Sequence, residues 1–155
     1  PATPSGTMKL IEKSDIQTEG KNCLVVGRSN IVGRPMSILM SLRGRYGNST
    51  VTLAHSKSKN LTELTLKADI IIMALGIPEF LKSDMIKKDS TIIDVGITRV
   101  EDKSKKRGYT IKGDVDFDSV SKKVKFLTPV PGGVGPMTIA MLLQNTLDAR
   151  LSTLH

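Results

Sequence analysis

The sequence predicts an α/β domain built on a doubly wound, mostly parallel sheet. Three observations carry that prediction. Five short apolar or β-branched runs, at 23–27, 50–54, 69–74, 90–95 and 124–128, each lead within two residues to Gly, Pro or a polar side chain. Segments with helical spacing alternate with most of them, which implies right-handed crossovers and parallel strands. The length, 155 residues, suits one domain that buries roughly two-thirds of its unfolded surface.

Each element follows from its residues. Thr3-Pro4 opens a first helix, with Thr3 as N-cap and Pro4 at the first helical position, running to about Lys13. Cys23-Leu24-Val25-Val26-Gly27 is a short apolar run ending in Gly, hence a buried strand. Pro35 starts a second helix, in which Met36, Leu39, Met40 and Leu42 keep helical spacing until Gly44. Thr50-Val51-Thr52-Leu53-Ala54 is strand-like, and Asn60 caps a helix through Leu61, Leu64 and Lys67. Asp69–Ala74 and Ser90–Val95 are read as strands buried on both faces. Glu101–Arg107 is a charged hairpin tip, and Tyr109-Thr110-Ile111 is the return strand. Asp116 caps a short helix reaching Ser121, and Val124–Thr128 is the final strand. A Pro/Gly loop from Pro129 to Pro136 precedes a long helix from Met137 to about Leu154.

In a sheet of this kind ligands bind beyond the carboxyl ends of the strands. Gly27-Arg28-Ser29-Asn30-Ile31-Val32-Gly33 fills the first strand-to-helix turn. It matches G-x-G-x-x-G imperfectly, with Ser29 in place of the second glycine and Gly33 one position late. Its place before a helix N-terminus suits an anion. The end of the second strand is more informative. Domains that bind NAD usually carry an acid there for the adenosine ribose hydroxyls, yet Val51–Asn60 contains none and offers His55, Ser56, Lys57 and Lys59. Hydroxyl and cationic donors without a carboxylate suit a 2′-phosphate, so the expected cofactor is NADP.

Charge supports a local anionic ligand. Of the net +8, the acid-free stretch from Gly20 to Thr62 supplies +7, through Lys21, Arg28, Arg34, Arg43, Arg45, Lys57 and Lys59. A nucleic-acid footprint needs a broader stripe, and five aromatic residues make a poor stacking surface. No nucleic-acid partner is expected. No run approaches ~18 apolar residues, so no membrane span is expected. The first residues resemble no signal peptide, which places the protein in the cytoplasm. The chain opens on Pro1 without an initiator Met, and is read as a fragment or processed product.

Single residues have competing readings. His55 is a strand-end hydrogen-bonding residue before it is a base, since no Ser/Asp partner pattern surrounds it. Cys23 is a core residue, and His55 with His155 makes no metal cluster. Asp94 and Asp114 adjoin glycines and are read as turn or capping residues, with catalysis as the alternative. Met137, Met141, Leu142 and Leu143 are read as helix core.

Five phrases then occur in order: Gly27–Met36; His55-Ser56 with Lys59-Asn60-Leu61; Ile93–Ile97; Gly113–Asp116; and the eleven residues Thr128–Thr138. Together they closely resemble the C-terminal half of bifunctional methylenetetrahydrofolate dehydrogenase/methenyltetrahydrofolate cyclohydrolases. The resemblance spans essentially the whole chain, with Ala2 where many members carry Cys. It implies a Rossmann-type NADP-binding domain at 21–136, a linking helix and active-site edge at 1–20, and a C-terminal helix at 137–155 that packs on an absent N-terminal folate domain. It further implies that Gly27, Arg28 and Ser29 hold the cofactor phosphates. Ser56 would sit by the 2′-phosphate, and Ile97 at the nicotinamide. Pro131, Gly132, Gly133, Val134, Gly135, Pro136, Met137, Thr138 and Ile139 would border the folate cleft. The family's catalytic lysine and tyrosine lie in the absent domain, so no catalytic residue is assigned here. The whole enzyme is expected to be a homodimer of one-carbon metabolism that feeds purine biosynthesis, and this chain alone to be inactive. A non-catalytic nucleotide-sensing module is the rival from another class.

Overall fold

The computed structural model describes residues 1–152, so His155 and the predicted end of the last helix at Leu154 lie outside the described residues. In chain order the elements are α1 (Ala2–Lys13), β1 (Asn22–Val26), α2 (Gly33–Ser41), β2 (Thr50–Ala54), α3 (Leu61–Lys67), β3 (Ile70–Met73), a 3-10 turn (Ser83–Met85), β4 (Thr91–Asp94), β5 (Thr98–Glu101), β6 (Tyr109–Lys112), α4 (Phe117–Val120), β7 (Phe126–Leu127) and α5 (Val134–Ser152). Five strands form a parallel sheet in the order β2-β1-β3-β4-β7. The chain moves outward from β1 to β2, then crosses back to β3 on the other side of β1. That reversal opens a crevice between the carboxyl ends of β1 and β3.

Both faces of the inner strands are covered, as expected from their apolar residues. Every residue of β3 and β4 is buried. Leu24, Val26, Ile71, Met73 and Ile92 face Leu81, Ile86, Val115 and Val120 on one side. Cys23, Val25, Ile70, Ile72 and Ile93 face Ile11 of α1 and Met36 and Met40 of α2 on the other. Strands β5 and β6 stand apart as an antiparallel hairpin, with the Arg99 and Arg107 guanidinium groups 4.8 and 5.1 Å from the centre of the Tyr109 ring.

Local starts differ from the sequence expectation. Helix α1 begins at Ala2 with Pro1 at the cap position, so Thr3 lies inside the first turn; its carbonyl accepts from the Thr7 hydroxyl at 3.0 Å. Helix α2 begins at Gly33, two residues before Pro35, and α5 begins at Val134, three before Met137. The reason is common to both. A proline in the first helical turn sacrifices an N–H that would have no intrahelical partner, so it marks that turn without being its first residue. Asn60 precedes α3 in a left-handed conformation and makes no side-chain cap. The predicted last strand shrinks to Phe126–Leu127, and β5 arises where only a loosened pattern was expected.

The reading of α5 as core is also corrected. Met137 and Met141 are half-buried, and α5 packs on α1, but Leu142 and Leu143 are exposed. They join Ile139, Leu147 and Leu151 in an apolar stripe that stays exposed among the described residues. Helical spacing reports that a face is apolar without saying which partner buries it.

Candidate functional site: a crevice and a cleft at the carboxyl edge

The turn after β1 is built for close backbone approach. Gly27 has φ +127°, in the region that disfavours side chains, and a Cβ there would collide with the Ala74 carbonyl after β3. A Cβ on Gly33 would collide with the Gly27 carbonyl. Gly33 therefore lets α2 start directly against the turn, despite its late position in the motif. Ser29 organises the turn: its Oγ accepts from the backbone N–H of Val32 at 3.1 Å and of Gly33 at 3.4 Å, and its carbonyl accepts from Arg34 N–H at 3.0 Å. Arg28, Ser29 and Asn30 are exposed on its outer side.

The end of β2 lies beside this turn, because Gly27 N–H donates to the Ala54 carbonyl at 2.8 Å. His55 Nδ1 accepts from Lys57 N–H at 3.1 Å, and Ser58 Oγ accepts from His55 N–H at 3.0 Å. His55 thus closes a strand-end turn and leaves Ser56, Lys57 and Lys59 exposed. No carboxylate stands between Val51 and Asn60.

Beyond β4 lies a cleft of about 370 Å³, lined by Asp94, Val95, Ile97, Ile111, Ile139 and the run 129–136. It brings together Ile97 and seven of the nine residues expected at a folate wall: Pro131, Gly132, Gly133, Val134, Gly135, Pro136 and Ile139. Met137 and Thr138 are not in its lining. The Met137 backbone would be 2.9 Å from a Cβ on Gly6, and the Thr138 hydroxyl lies 3.1 Å from both the Val134 carbonyl, to which it can donate, and the Thr3 hydroxyl. Those two residues join α5 to α1. Asp94 is the only titratable group among the described lining residues.

Two carboxylates lie behind these openings. Asp94, at the end of β4, is 2 % exposed. Its Oδ1 accepts from Gly96 N–H at 2.9 Å and Asp114 N–H at 3.1 Å, and its Oδ2 from Val115 N–H at 2.9 Å. Burial nevertheless outweighs those three donors and, with the neighbouring Asp114 carboxylate, pushes its pKa up to about 6. Asp114, fully buried, accepts through Oδ2 from the N–H groups of Leu75 at 2.6 Å and Gly76 at 2.9 Å. Cys23 takes no part, being buried in β1 with its thiol pushed up to about 12. Sequence reasoning missed the reach of Asp94 and Asp114 across neighbouring strand ends, and the close fit of Gly33 against Gly27. The paired phrases Asp94-Val95-Gly96 and Gly113-Asp114 were the available signal. No cluster of metal-ligating side chains occurs among the described residues.

A switch-point crevice, a glycine turn entering a helix and an apolar cleft beside it define a dinucleotide-binding α/β domain. The comparisons agree. Residues 1–153 match the family model "Tetrahydrofolate dehydrogenase/cyclohydrolase, NAD(P)-binding domain". The bifunctional protein FolD of Flavobacterium johnsoniae is 68% identical over 150 residues, covering 97% of this chain and 51% of that protein. The crystal structure of FolD from Campylobacter jejuni superposes with TM-score 0.88 at 48% identity, over 99% of this chain and 51% of that one. The Trypanosoma brucei methylenetetrahydrofolate dehydrogenase-cyclohydrolase, complexed with NADP and an inhibitor, matches with TM-score 0.88 at 40% identity, over 95% and 49%. The chain belongs to the tetrahydrofolate dehydrogenase/cyclohydrolase family, as its NAD(P)-binding domain. It spans about half the length of the curated relatives it matches.

Proposed function

We propose that this chain binds NADP and forms one wall of the folate cleft of a bifunctional enzyme. That enzyme oxidises 5,10-methylenetetrahydrofolate, then hydrolyses the methenyl product to 10-formyltetrahydrofolate. The observation that carries the cofactor choice is the acid-free end of β2, with exposed Ser56, Lys57 and Lys59 beside the glycine turn. A carboxylate there would repel a 2′-phosphate, whereas hydroxyl and ammonium donors attract one. The NADP bound by the Trypanosoma brucei relative supports the same choice.

The residues fit such a ligand. Gly27 and Gly33 leave no side chain between the turn and α2, so a pyrophosphate can approach the turn closely at the positive end of the helix dipole. Arg28 and Ser29 flank it, and Ser56 sits at the 2′-phosphate. Bound NADP+ supplies the hydride acceptor. The chain's task is orientation: Ile97 at the cleft places the nicotinamide end, and the apolar wall from Pro131 to Gly135 excludes water from the transfer. Met137 and Thr138 serve this wall from behind, by holding α5 against α1. None of the described cleft-lining residues is a lysine or tyrosine, which supports placing the groups that move protons in the half of the relatives that this chain does not span. The homodimer, the cytoplasmic location, the supply of purine synthesis and the lack of a nucleic-acid or membrane partner rest on the sequence reading and the family resemblance.

Isothermal titration of the 155-residue chain tests the cofactor choice. NADP+ is expected to bind at least tenfold more tightly than NAD+, which is about 1.4 kcal/mol. Arg28 is exposed on the turn beside the end of β2 and reaches the 2′-phosphate from there, so Arg28→Ala should remove most of that difference. Equal affinities for the two dinucleotides would overturn the reading.

A further inference from the structure

We propose that Asp114 is a positioning residue for the nicotinamide half of the dinucleotide, acting through the Leu75–Gly76 peptide. The inference rests on the NADP reading above and extends it to a residue that lines neither the crevice nor the cleft.

The sheet order divides the ligand. With the pyrophosphate at the start of α2 and the 2′-phosphate at the end of β2, the other half of the molecule must extend over β3 and β4. The backbone it meets first is the turn after β3, where Gly76 has φ +75° and both Gly76 and Ile77 are exposed. Asp114 Oδ2 holds the N–H groups of Leu75 and Gly76 from behind. A trans peptide directs its carbonyl opposite to its N–H. Fixing Gly76 N–H on Asp114 therefore turns the Leu75 carbonyl away from the carboxylate, as an acceptor for a donor on the ligand such as a ribose hydroxyl.

Asp114 is itself held rigidly. Its N–H donates to Asp94, its carbonyl accepts from Leu81 N–H at 2.9 Å, and residue 115 bridges to Leu81. The two carboxylates reach one another's loops only through glycine gaps. A Cβ on Gly96 would collide with the Asp114 carboxylate, and one on Gly113 with the Asp94 carboxylate.

The arrangement costs more than capping a strand end requires. A neutral Ser or Asn could satisfy one or two N–H groups. Here a fully buried carboxylate leaves Oδ1 without a hydrogen-bond partner, next to a second buried carboxylate. Such expense is characteristic of sites where geometry serves a ligand.

The test compares two ligands on the 155-residue chain: NADP+ and 2′,5′-ADP, which keeps the adenosine end and lacks the nicotinamide half. Asp114→Asn should weaken NADP+ at least threefold relative to 2′,5′-ADP, and Asp114→Ala at least tenfold, while 2′,5′-ADP stays within twofold. A merely structural role would weaken both ligands together or neither. If Asp114→Ala does not fold by circular dichroism, Asp114→Asn decides. If neither folds, the amide resonances of Leu75 and Gly76 in the unsubstituted chain decide, and they must respond to NADP+ and not to 2′,5′-ADP. An unchanged ratio in a folded variant, or equal amide responses, overturns the positioning role alone. An unsubstituted chain that binds neither ligand overturns the NADP reading and this inference with it.

Discussion

At the residue scale, Asp94 makes stability depend on pH in an unusual direction. Its ordinary value of 3.8 rises to about 6, chiefly through burial, so the folded state holds the proton more tightly than the unfolded chain. The contribution is therefore complete below about pH 4 and is lost as pH rises through 6. The shift corresponds to about 3 kcal/mol. Glu12 and Glu63 act oppositely, because hydrogen bonds from Lys9 and Lys67 hold them below the usual range, and their contributions fade only in stronger acid. Urea denaturation at pH 5 should thus show a more stable chain than at pH 7.5, and Asp94→Asn should flatten that difference. A steeper loss at pH 5 than at pH 7.5 would contradict it. Gly135 offers a second test. A Cβ there would meet Ile97 Cδ1 at 3.7 Å, an ordinary contact, within the first turn of α5. Gly135→Ala should leave the melting temperature unchanged or higher, and raise the folate KM of the full-length enzyme several-fold by narrowing the cleft. Gly133 is unsuitable for this purpose, since its Cβ would stand 2.5 Å from the Pro129 carbonyl and disturb the loop whatever the ligand.

At the scale of elements, α5 carries the clearest unmet requirement. Ile139, Leu142, Leu143, Leu147 and Leu151 are each more than half exposed and fall on one stripe of the helix. The 155-residue chain should self-associate through that stripe at high concentration. Leu143→Glu combined with Leu147→Glu should suppress the association in sedimentation velocity and move the unfolding free energy by less than about 1 kcal/mol, as expected for exposed positions. A loss well beyond that would mean that the stripe is buried in solution by this chain itself. The hairpin β5–β6 shows the limit of pattern reading at this scale. Residues 109–111 were legible as a strand from their β-branched run, whereas 98–101 alternate two charges with half-buried residues and gain strand geometry only from their partner.

At the scale of the whole molecule, the proposed function assigns cofactor binding to this sheet and proton transfer to groups outside it. Its carboxyl edge holds the glycine turn, the acid-free end of β2 and the apolar cleft side by side, and none of the described cleft-lining residues is a lysine or tyrosine. The 155-residue chain should therefore bind NADP+ without turning over methylenetetrahydrofolate or methenyltetrahydrofolate. A spectrophotometric assay of the purified chain above the uncatalysed background checks this. Sustained turnover would return the proton-transferring groups to this chain, with Asp94 first among them.

The runs of the five sheet strands, the β1 turn, the missing acid after β2 and the Pro/Gly loop are legible in the residues alone. All of these are local, because apolar patterning and turn chemistry depend on residues within a few positions of one another. The sequence also carried the family resemblance, through phrases in order such as Thr128–Thr138. Only the tertiary structure decided which glycines are obligatory: Gly33 against Gly27, Gly96 against Asp114, and Gly113 against Asp94. The same holds for the carboxylates. Asp94 and Asp114 each looked like a turn residue because each does serve backbone N–H groups. Their pairing, twenty residues apart, and the reach of Asp114 back to Leu75 exist only once β3 and β4 lie side by side. Exposure was decided the same way, since the spacing of α5 announces an apolar face and only the packed molecule shows it uncovered. Burial and close approach are properties of pairs of elements, and no window along one segment contains them.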